Sequence, residues 1–104
     1  MAKIAVIDDW INPRYIKSIE RIEYIFLEEA VDCEKRYISE STHATLIAKM
    51  LETYATNYTV LNIVLALRMD EDQDIWKVRK ALEICETQHV DIVSHKVVEA
   101  VNIE

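Results

Sequence analysis

Four short apolar runs, separated by segments with helical spacing, constrain the fold of this chain most strongly. The runs span residues 3–7, 21–27, 58–67 and 90–94. They are rich in Ile, Val and aromatic residues, which is typical of buried strands. A short helix is predicted at 12–19, a second from His43 to about Tyr54, and a third after the acidic stretch 70–74. Because strands that alternate with helices form mainly parallel sheets, we expect an α/β fold: a three-layer α/β/α domain with an open sheet of about four strands.

The bulk properties favour one small globular domain over residues 1–104. The net charge of −7 argues against binding to nucleic acid or to an anionic membrane surface, since both favour clusters of Lys and Arg. No segment has the length of a secretory signal or a membrane span, so a cytoplasmic location is expected. The chain has no glycine, which argues against a phosphate-binding loop, and we expect no cofactor. Cys33 and Cys85 lack metal-site spacing, so we expect free or buried thiols and no metal site.

The segment that follows Ser41 and Thr42 begins a helix with a histidine in its first turn. Either hydroxyl can act as the N-cap, and the positive end of the helix dipole favours a neutral His43 ring. Neutral imidazole is the form that a general base requires. The simpler interpretation is a structural helix start, because apolar residues follow at helical spacing and are expected to face the core. These residues are Leu46, Ile47, Met50, Leu51 and Tyr54.

Polar residues follow the first strand directly, and a third helix follows the acidic stretch. Asp8 and Asp9 end the first strand, and the carboxyl end of a central strand is where open α/β sheets place their sites. For 70–74, a calcium site competes with a simple helix start. The helix start is favoured, because calcium loops need a glycine turn. The third helix is predicted to bury one apolar stripe, with Trp76 off it. The stripe comprises Ile75, Val78, Leu82, Cys85 and His89.

Two short motifs together carry a resemblance to a known enzyme family. Ile4-Ala5-Val6-Ile7-Asp8-Asp9-Trp10-Ile11 resembles the segment around the catalytic aspartate of the subtilases, the subtilisin-like serine proteases. His43-Ala44-Thr45-Leu46-Ile47-Ala48 resembles their catalytic-histidine helix, and the segments from 58 to 94 resemble the strand, helix and strand that follow. The resemblance implies a subtilisin-like half-domain in which Asp8 and His43 are the catalytic aspartate and histidine.

The chain departs from the subtilase pattern at several places. It ends before the positions of the oxyanion asparagine and the nucleophilic serine, and Trp10 and Ala44 replace glycines. Lys96, Val97 and Val98 occupy the place of the family's substrate-binding segment, which puts backbone pairing with a peptide in doubt. The chain's own serines, which have no flanking glycines, are interpreted as structural. They are Ser18, Ser39, Ser41 and Ser94. Because a triad without its nucleophile keeps only weak residual catalysis, the chain alone is not expected to be a protease.

Three functional hypotheses follow. The first is a split peptidase in which a second chain supplies the serine and pairs with the edge strand at 90–94, beside the apolar tail. The second is a non-catalytic pseudoprotease that binds a peptide or protein at the old cleft, which the lost glycines and Trp10 favour. The third is a receiver-like signalling domain, with Asp8 and Asp9 as an acidic pocket and Met69-Asp70 as its phosphoacceptor region. A homo-oligomer stays open under all three.

Overall fold

The computed structural model describes residues 1–27, 39, 41–65 and 71–95. Within these ranges the chain forms four strands and two α-helices. In chain order they are β1 (Ala2–Asp8), β2 (Ile22–Phe26), α1 (His43–Tyr54), β3 (Tyr58–Val64), α2 (Glu71–Thr87) and β4 (Ile92–His95). All strand pairs are parallel, and the sheet order is β2-β3-β1-β4. The predicted α/β class with a parallel sheet between helical layers is therefore confirmed.

The central strand β1 divides the core into two apolar layers. Ile4 and Val6 point to one face and pack with Ala44 and Ala48 of α1. The alternate residues of β1 and β3 point to the other face and pack with Ala81 and Cys85 of α2; they are Ala5, Ile7, Leu61 and Ile63. Because side chains alternate along a strand, Asp8 projects to the α1 face with Ile4 and Val6.

The two helical connections cross the sheet with opposite hands. Both lead in the same direction through the strand order, from β2 to β3 and from β3 past β1 to β4, yet their helices cover opposite faces. The connection from β1 back to β2 runs the other way and places Ile11 and Ile16 on the α1 face, so it shares its hand with the α2 connection. Crossovers between parallel strands are almost always right-handed. We therefore assign the rare left-handed crossover to α1, the helix that begins with His43.

The predicted helix at 12–19 is wrong. The chain forms two short 3-10 helices instead, at Pro13–Tyr15 and Ile19–Arg21. Asn12 caps the first as expected, since its side chain accepts from the backbone N–H of Arg14. The Ile16 side chain, which is buried in the core, follows the first turn directly. Both 3-10 helices lie in the connection from β1 to the edge strand β2.

The predicted apolar faces of both helices are only partly correct. In α1 the small residues Ala44 and Ala48 are buried, whereas three of the larger ones are exposed: Leu46, Met50 and Tyr54. In α2, Cys85 is buried as predicted, but the buried stripe continues through Ala81 and Lys77, while Ile75 and Leu82 are exposed. Small side chains allow the helices to approach the sheet closely, and the large ones flank the contact.

Two turns are made without glycine by residues in the left-handed conformation. Asn57 has φ of 56° just before β3, and His89 has φ of 54° just after α2. These are positions where glycine is usually favoured. Asn tolerates this region well, and the two residues lie in the turn between α1 and β3 and just after the end of α2.

Several predicted features lie outside the described residues. They are Cys33, the Met69-Asp70 phosphoacceptor region, Lys96, Val97, Val98 and the apolar tail. No helix within the described ranges is long and apolar enough to cross a membrane.

Candidate functional site

The candidate site forms where the carboxyl end of β1 meets the first turn of α1. Asp8 is the last residue of β1, and its side chain is turned toward the α1 face. α1 begins at His43, and Thr42 is its N-cap, since the Thr42 hydroxyl accepts from the backbone N–H of Thr45. This edge of a parallel sheet is where open α/β folds place their functional groups.

The structure brings the two predicted catalytic residues into direct contact. The Nδ1 atom of His43 lies 2.5 Å from Oδ2 of Asp8. The other carboxylate oxygen, Oδ1, accepts from the backbone N–H of Asp9 at 2.8 Å. The Asp8 side chain is only 5% exposed, whereas that of His43 keeps 46% of its surface exposed. The carboxylate is thus fixed and shielded, while the ring that it holds still reaches solvent.

This contact determines what the imidazole can do. A carboxylate accepts a hydrogen bond from Nδ1–H, which leaves Nε2 as the basic nitrogen of the neutral ring. No hydrogen bond to Nε2 comes from the part of the chain that the structure describes. A ring with one nitrogen held by a buried carboxylate and half its surface open has the arrangement of a general base.

Asp9 links the loop after β1 to the start of α1. Its Oδ1 atom accepts from the backbone N–H of Ala44 at 2.8 Å. The N–H groups of a first helical turn have no partner within the helix, and a negative side chain there is also favoured by the helix dipole. Asp9 therefore fixes the end of the helix that carries His43.

A relay of hydroxyl groups binds the next part of the loop. The backbone N–H of Asn12 donates to Thr45 Oγ1 at 2.8 Å. The two threonine hydroxyls, of Thr42 and Thr45, lie 2.8 Å apart, and Thr42 Oγ1 donates to the carbonyl of Trp10. Since Thr42 gives its proton to Trp10, Thr45 must donate to Thr42. The donor and the acceptor of each hydroxyl hydrogen bond are thus defined, and these bonds hold residues 10–12 against α1.

Asn62 and Tyr24 hold the same loop from the side of the sheet. The Asn62 amide bonds to the backbone of Ile11 and Asp9, and the Tyr24 hydroxyl donates to the carbonyl of Ile11 at 2.7 Å. Sequence reasoning missed Asn62. The available signal was an amide in the middle of a run that is otherwise apolar and β-branched, because a buried amide needs partners.

Trp10 packs into the apolar core of the domain. Its side chain is buried against Val64, in a cluster that also includes Tyr24 and Phe26 from the β2 side of the sheet. The tryptophan therefore fills the core beside β3. The packing gives no support to a cleft blocked by Trp10.

The remaining predicted site residues, Lys96, Val97 and Val98, cannot be placed relative to the pair, because they lie outside the described residues. β4 ends at His95, whose backbone is aligned with Ile7 of β1. A depression of about 250 Å³ lies at the opposite, amino-terminal end of the sheet, beside Lys3 and Ile22, and contains neither Asp8 nor His43. Among the described side chains, no three His, Cys, Asp or Glu residues converge on a possible metal position.

Comparison with known proteins finds no matching family model, no similar curated protein and no similar solved structure. Function is therefore inferred from the site itself.

Proposed function

We propose that this chain is the Asp–His half of a subtilase-type serine peptidase, and that a second chain supplies the nucleophilic serine and the oxyanion asparagine. The hydrogen bond between Asp8 Oδ2 and His43 Nδ1 carries the proposal. Two motifs at 35 residues' separation resemble the family's aspartate and histidine segments, and their side chains meet with the buried carboxylate and the open ring that a triad requires.

The chemistry assigns one role to each residue. As the partner's serine oxygen attacks a peptide carbonyl, its proton passes to Nε2 of His43. The resulting imidazolium is steadied by Asp8, and it then gives the proton to the leaving amine as the peptide bond breaks. Water repeats the cycle on the acyl-serine, with His43 again taking and returning the proton.

The serines of this chain do not fill the missing role. The Ser18 hydroxyl donates to Glu52, on the side of the 3-10 helices. Ser94 lies on β4, aligned with Val6, which is two residues before Asp8. In the part of the chain that the structure describes, no serine hydroxyl bonds to His43. This supports a nucleophile that comes from outside these residues.

The flank of α1 toward β4 supports a protein partner at that edge. On the opposite flank, the Glu52 carboxylate accepts from the backbone N–H groups of Lys17 and Ser18, on the way to β2. At about 100° per residue, Met50 and Tyr54 lie on the other side of α1. β2 and β4 form the two edges of the described sheet, so Met50 and Tyr54 face the β4 side. Their side chains are 62% and 84% exposed.

Both faces of β4 itself present apolar side chains. Ile92 is aligned with Ile4 and so lies on the α1 face, whereas Val93 is aligned with Ala5 on the α2 face. They are 54% and 42% exposed. β4 is an edge strand of the described sheet, and its described side chains carry no charge to discourage strand pairing. We call Met50, Tyr54 and Ile92 the β4-side ledge, and we propose it as part of the surface that the second chain covers.

We also propose a cytoplasmic location. The thiol of Cys85 is free and buried, which fits the reducing compartments in which cysteines are usually found without disulfides.

Reconstitution tests the proposal. Neighbouring genes are to be searched for a chain that carries a subtilase-like serine segment, and each such chain is to be co-expressed with this one. Any complex is then purified and treated with a fluorophosphonate probe. The expected result is labelling of the partner's serine and hydrolysis of peptide esters by the complex only. His43→Ala should abolish both, and Asp8→Asn should lower kcat by about 10⁴-fold through the wrong imidazole tautomer. Trp76→Gln, a surface change on α2, is the matched control and should leave activity unchanged.

The other outcomes are equally informative. Fluorophosphonate labelling of this chain in the absence of a partner would refute the claim that it lacks a nucleophilic serine. A stable complex without labelling would indicate a pseudoprotease that binds its partner without catalysis. If no complex forms, the split-peptidase proposal is wrong.

A further inference from the structure

Asn62 is a fully buried amide in the central part of the sheet. It lies in β3, aligned with Val6 of β1, on the α1 face of the sheet. Its neighbours on that face of β3 are Val60 and Val64, both buried and apolar. A polar side chain in such a position is costly unless all of its hydrogen-bonding groups find partners.

The amide of Asn62 bonds to the backbone on both sides of Asp8. Its Nδ2 group donates to the carbonyl of Val6 at 3.1 Å, two residues before Asp8, and to the carbonyl of Asp9 at 3.2 Å, directly after it. Its Oδ1 atom accepts from the backbone N–H of Ile11 at 2.9 Å. One side chain from a neighbouring strand thus fixes the backbone that carries the carboxylate.

We infer that Asn62 is the positioning residue of the Asp8–His43 pair. Its bond to the Asp9 carbonyl sets the direction in which the chain leaves β1. Asp9 in turn uses its own N–H to hold Asp8 Oδ1 and its carboxylate to hold the Ala44 N–H at the start of α1. The orientation of Asp8 and the position of the helix that carries His43 therefore both depend on Asn62.

The role goes beyond filling the core. None of the three amide bonds goes to β3 itself; all three go to β1 and to the loop that follows it. This loop has no glycine with which to make a tight turn, and the amide supplies the fixed points instead. The inference rests on the same Asp8–His43 pair as the proposed function, but it involves neither the partner nor the nucleophile.

The test is the tautomer of His43, measured by long-range ¹H–¹⁵N correlation on the full ¹⁵N-labelled chain at neutral pH. The His43→Gln variant identifies the His43 signals among those of the three histidines. In the unmodified protein we expect the Nδ1–H tautomer and a strongly deshielded Nδ1 proton, because Asp8 accepts from it. In Asn62→Leu, which keeps the size of the side chain and removes its bonds, we expect loss of that proton signal and a mixture of the two tautomers.

Leu61→Ala is the matched control. Leu61 is the preceding residue of β3, equally buried but on the α2 face, so its truncation destabilises the domain without touching the loop. It should leave the His43 signals unchanged. If Asn62→Leu does not fold, Asn62→Ser in a stabilising osmolyte replaces it, since a hydroxyl cannot span all three partners. A folded Asn62 variant with the His43 signals of the unmodified protein would overturn the inference, as would loss of the signals in Leu61→Ala. Failure of the complex to show peptidase activity would bear on the proposed function alone.

Discussion

The first turn of α1 and the β4 side of the same helix differ in how many contacts the rest of the chain makes with them. At the first turn, the backbone groups of the loop after β1 are bonded to side chains from β2, β3 and α1, through Tyr24, Asn62 and Thr45. Along the flank toward β4, Met50 and Tyr54 are left largely in solvent. The Asp8–His43 pair is therefore held in place by side chains of this chain, whereas Met50 and Tyr54 of the same helix stay exposed.

The physical reason is that an unbonded backbone group costs much more free energy when it is buried than an apolar side chain costs when it is exposed. A buried backbone N–H without a partner costs about 1–3 kcal/mol, so the loop that follows Asp8 can be buried only if its polar groups are bonded. An exposed methionine or tyrosine costs a folded chain little. If a partner covers such a side chain, each Å² of apolar surface removed from water contributes about 25 cal/mol to the free energy of binding. The Asp8–His43 contact can thus be fully formed in a chain that still exposes apolar side chains on the same helix.

The largest effect is expected from charge on the β4-side ledge. Met50→Lys together with Tyr54→Lys should weaken the complex with the serine-bearing chain by about 2 kcal/mol or more, roughly a 30-fold rise in Kd, because the lysines would be buried against apolar partner groups. Titration by calorimetry or surface plasmon resonance measures it. The unfolding free energy of the isolated variant, from urea denaturation, should stay within about 0.5 kcal/mol of that of the parent.

Trp76→Gln provides the comparison for the ledge. Trp76 is also an exposed aromatic residue, but it lies on α2 beneath the Lys80 ammonium, 4.9 Å from its ring centroid. Its loss should leave Kd unchanged. Equal weakening by the Trp76 and ledge variants, or no effect of the ledge variants, would show that the partner does not dock at the β4 side of α1.

An intermediate effect is expected from breaking the hydroxyl relay. Thr45→Val removes the acceptor for the Asn12 N–H and the donor to Thr42 while it preserves shape, and it should cost about 1–3 kcal/mol of unfolding free energy. Urea denaturation measures this cost. Thr53→Val is the matched control, because it is the same substitution in the same helix. The Thr53 hydroxyl bonds only to the exposed Lys49 carbonyl, so the loss of unfolding free energy should stay within about 0.5 kcal/mol. Equal costs for both would refute the relay.

The sequence sufficed for the strands, for α1 and for the Asp8–His43 pair. The strands and α1 follow from local pattern, whereas the pairing of Asp8 with His43 is predicted from the resemblance of their two motifs to subtilase segments. The sequence did not reveal which helix face is buried, because α1 packs through Ala44 and Ala48 and leaves larger residues outside. Periodicity ranks residues by hydrophobicity, whereas close packing against a sheet also selects for size. The role of Asn62 was also hidden, since its partners are 51 to 56 residues away in the chain and no local pattern records them.

The smallest effect is expected at Cys85. The reactivity of its thiol tests whether the core beneath α2 excludes solvent as well as the region around the first turn of α1 does. Burial without solvent raises the pKa of the Cys85 thiol above its ordinary value of 9.0, and a backbone hydrogen bond offsets this only in part. Because the pKa is raised in the folded state, the thiol contributes stability below its unfolded pKa, and this contribution is lost as the pH rises through the folded pKa. In a Cys33→Ser background, alkylation by iodoacetamide should be slow near pH 9 and should accelerate at higher pH than in urea-unfolded protein. The stability difference from Cys85→Ala should shrink over the same range. If the folded chain were alkylated as fast as the unfolded chain, the core beneath α2 would be readily accessible to solvent. Tight packing would then be confined to the face of the sheet that holds Asp8 and His43.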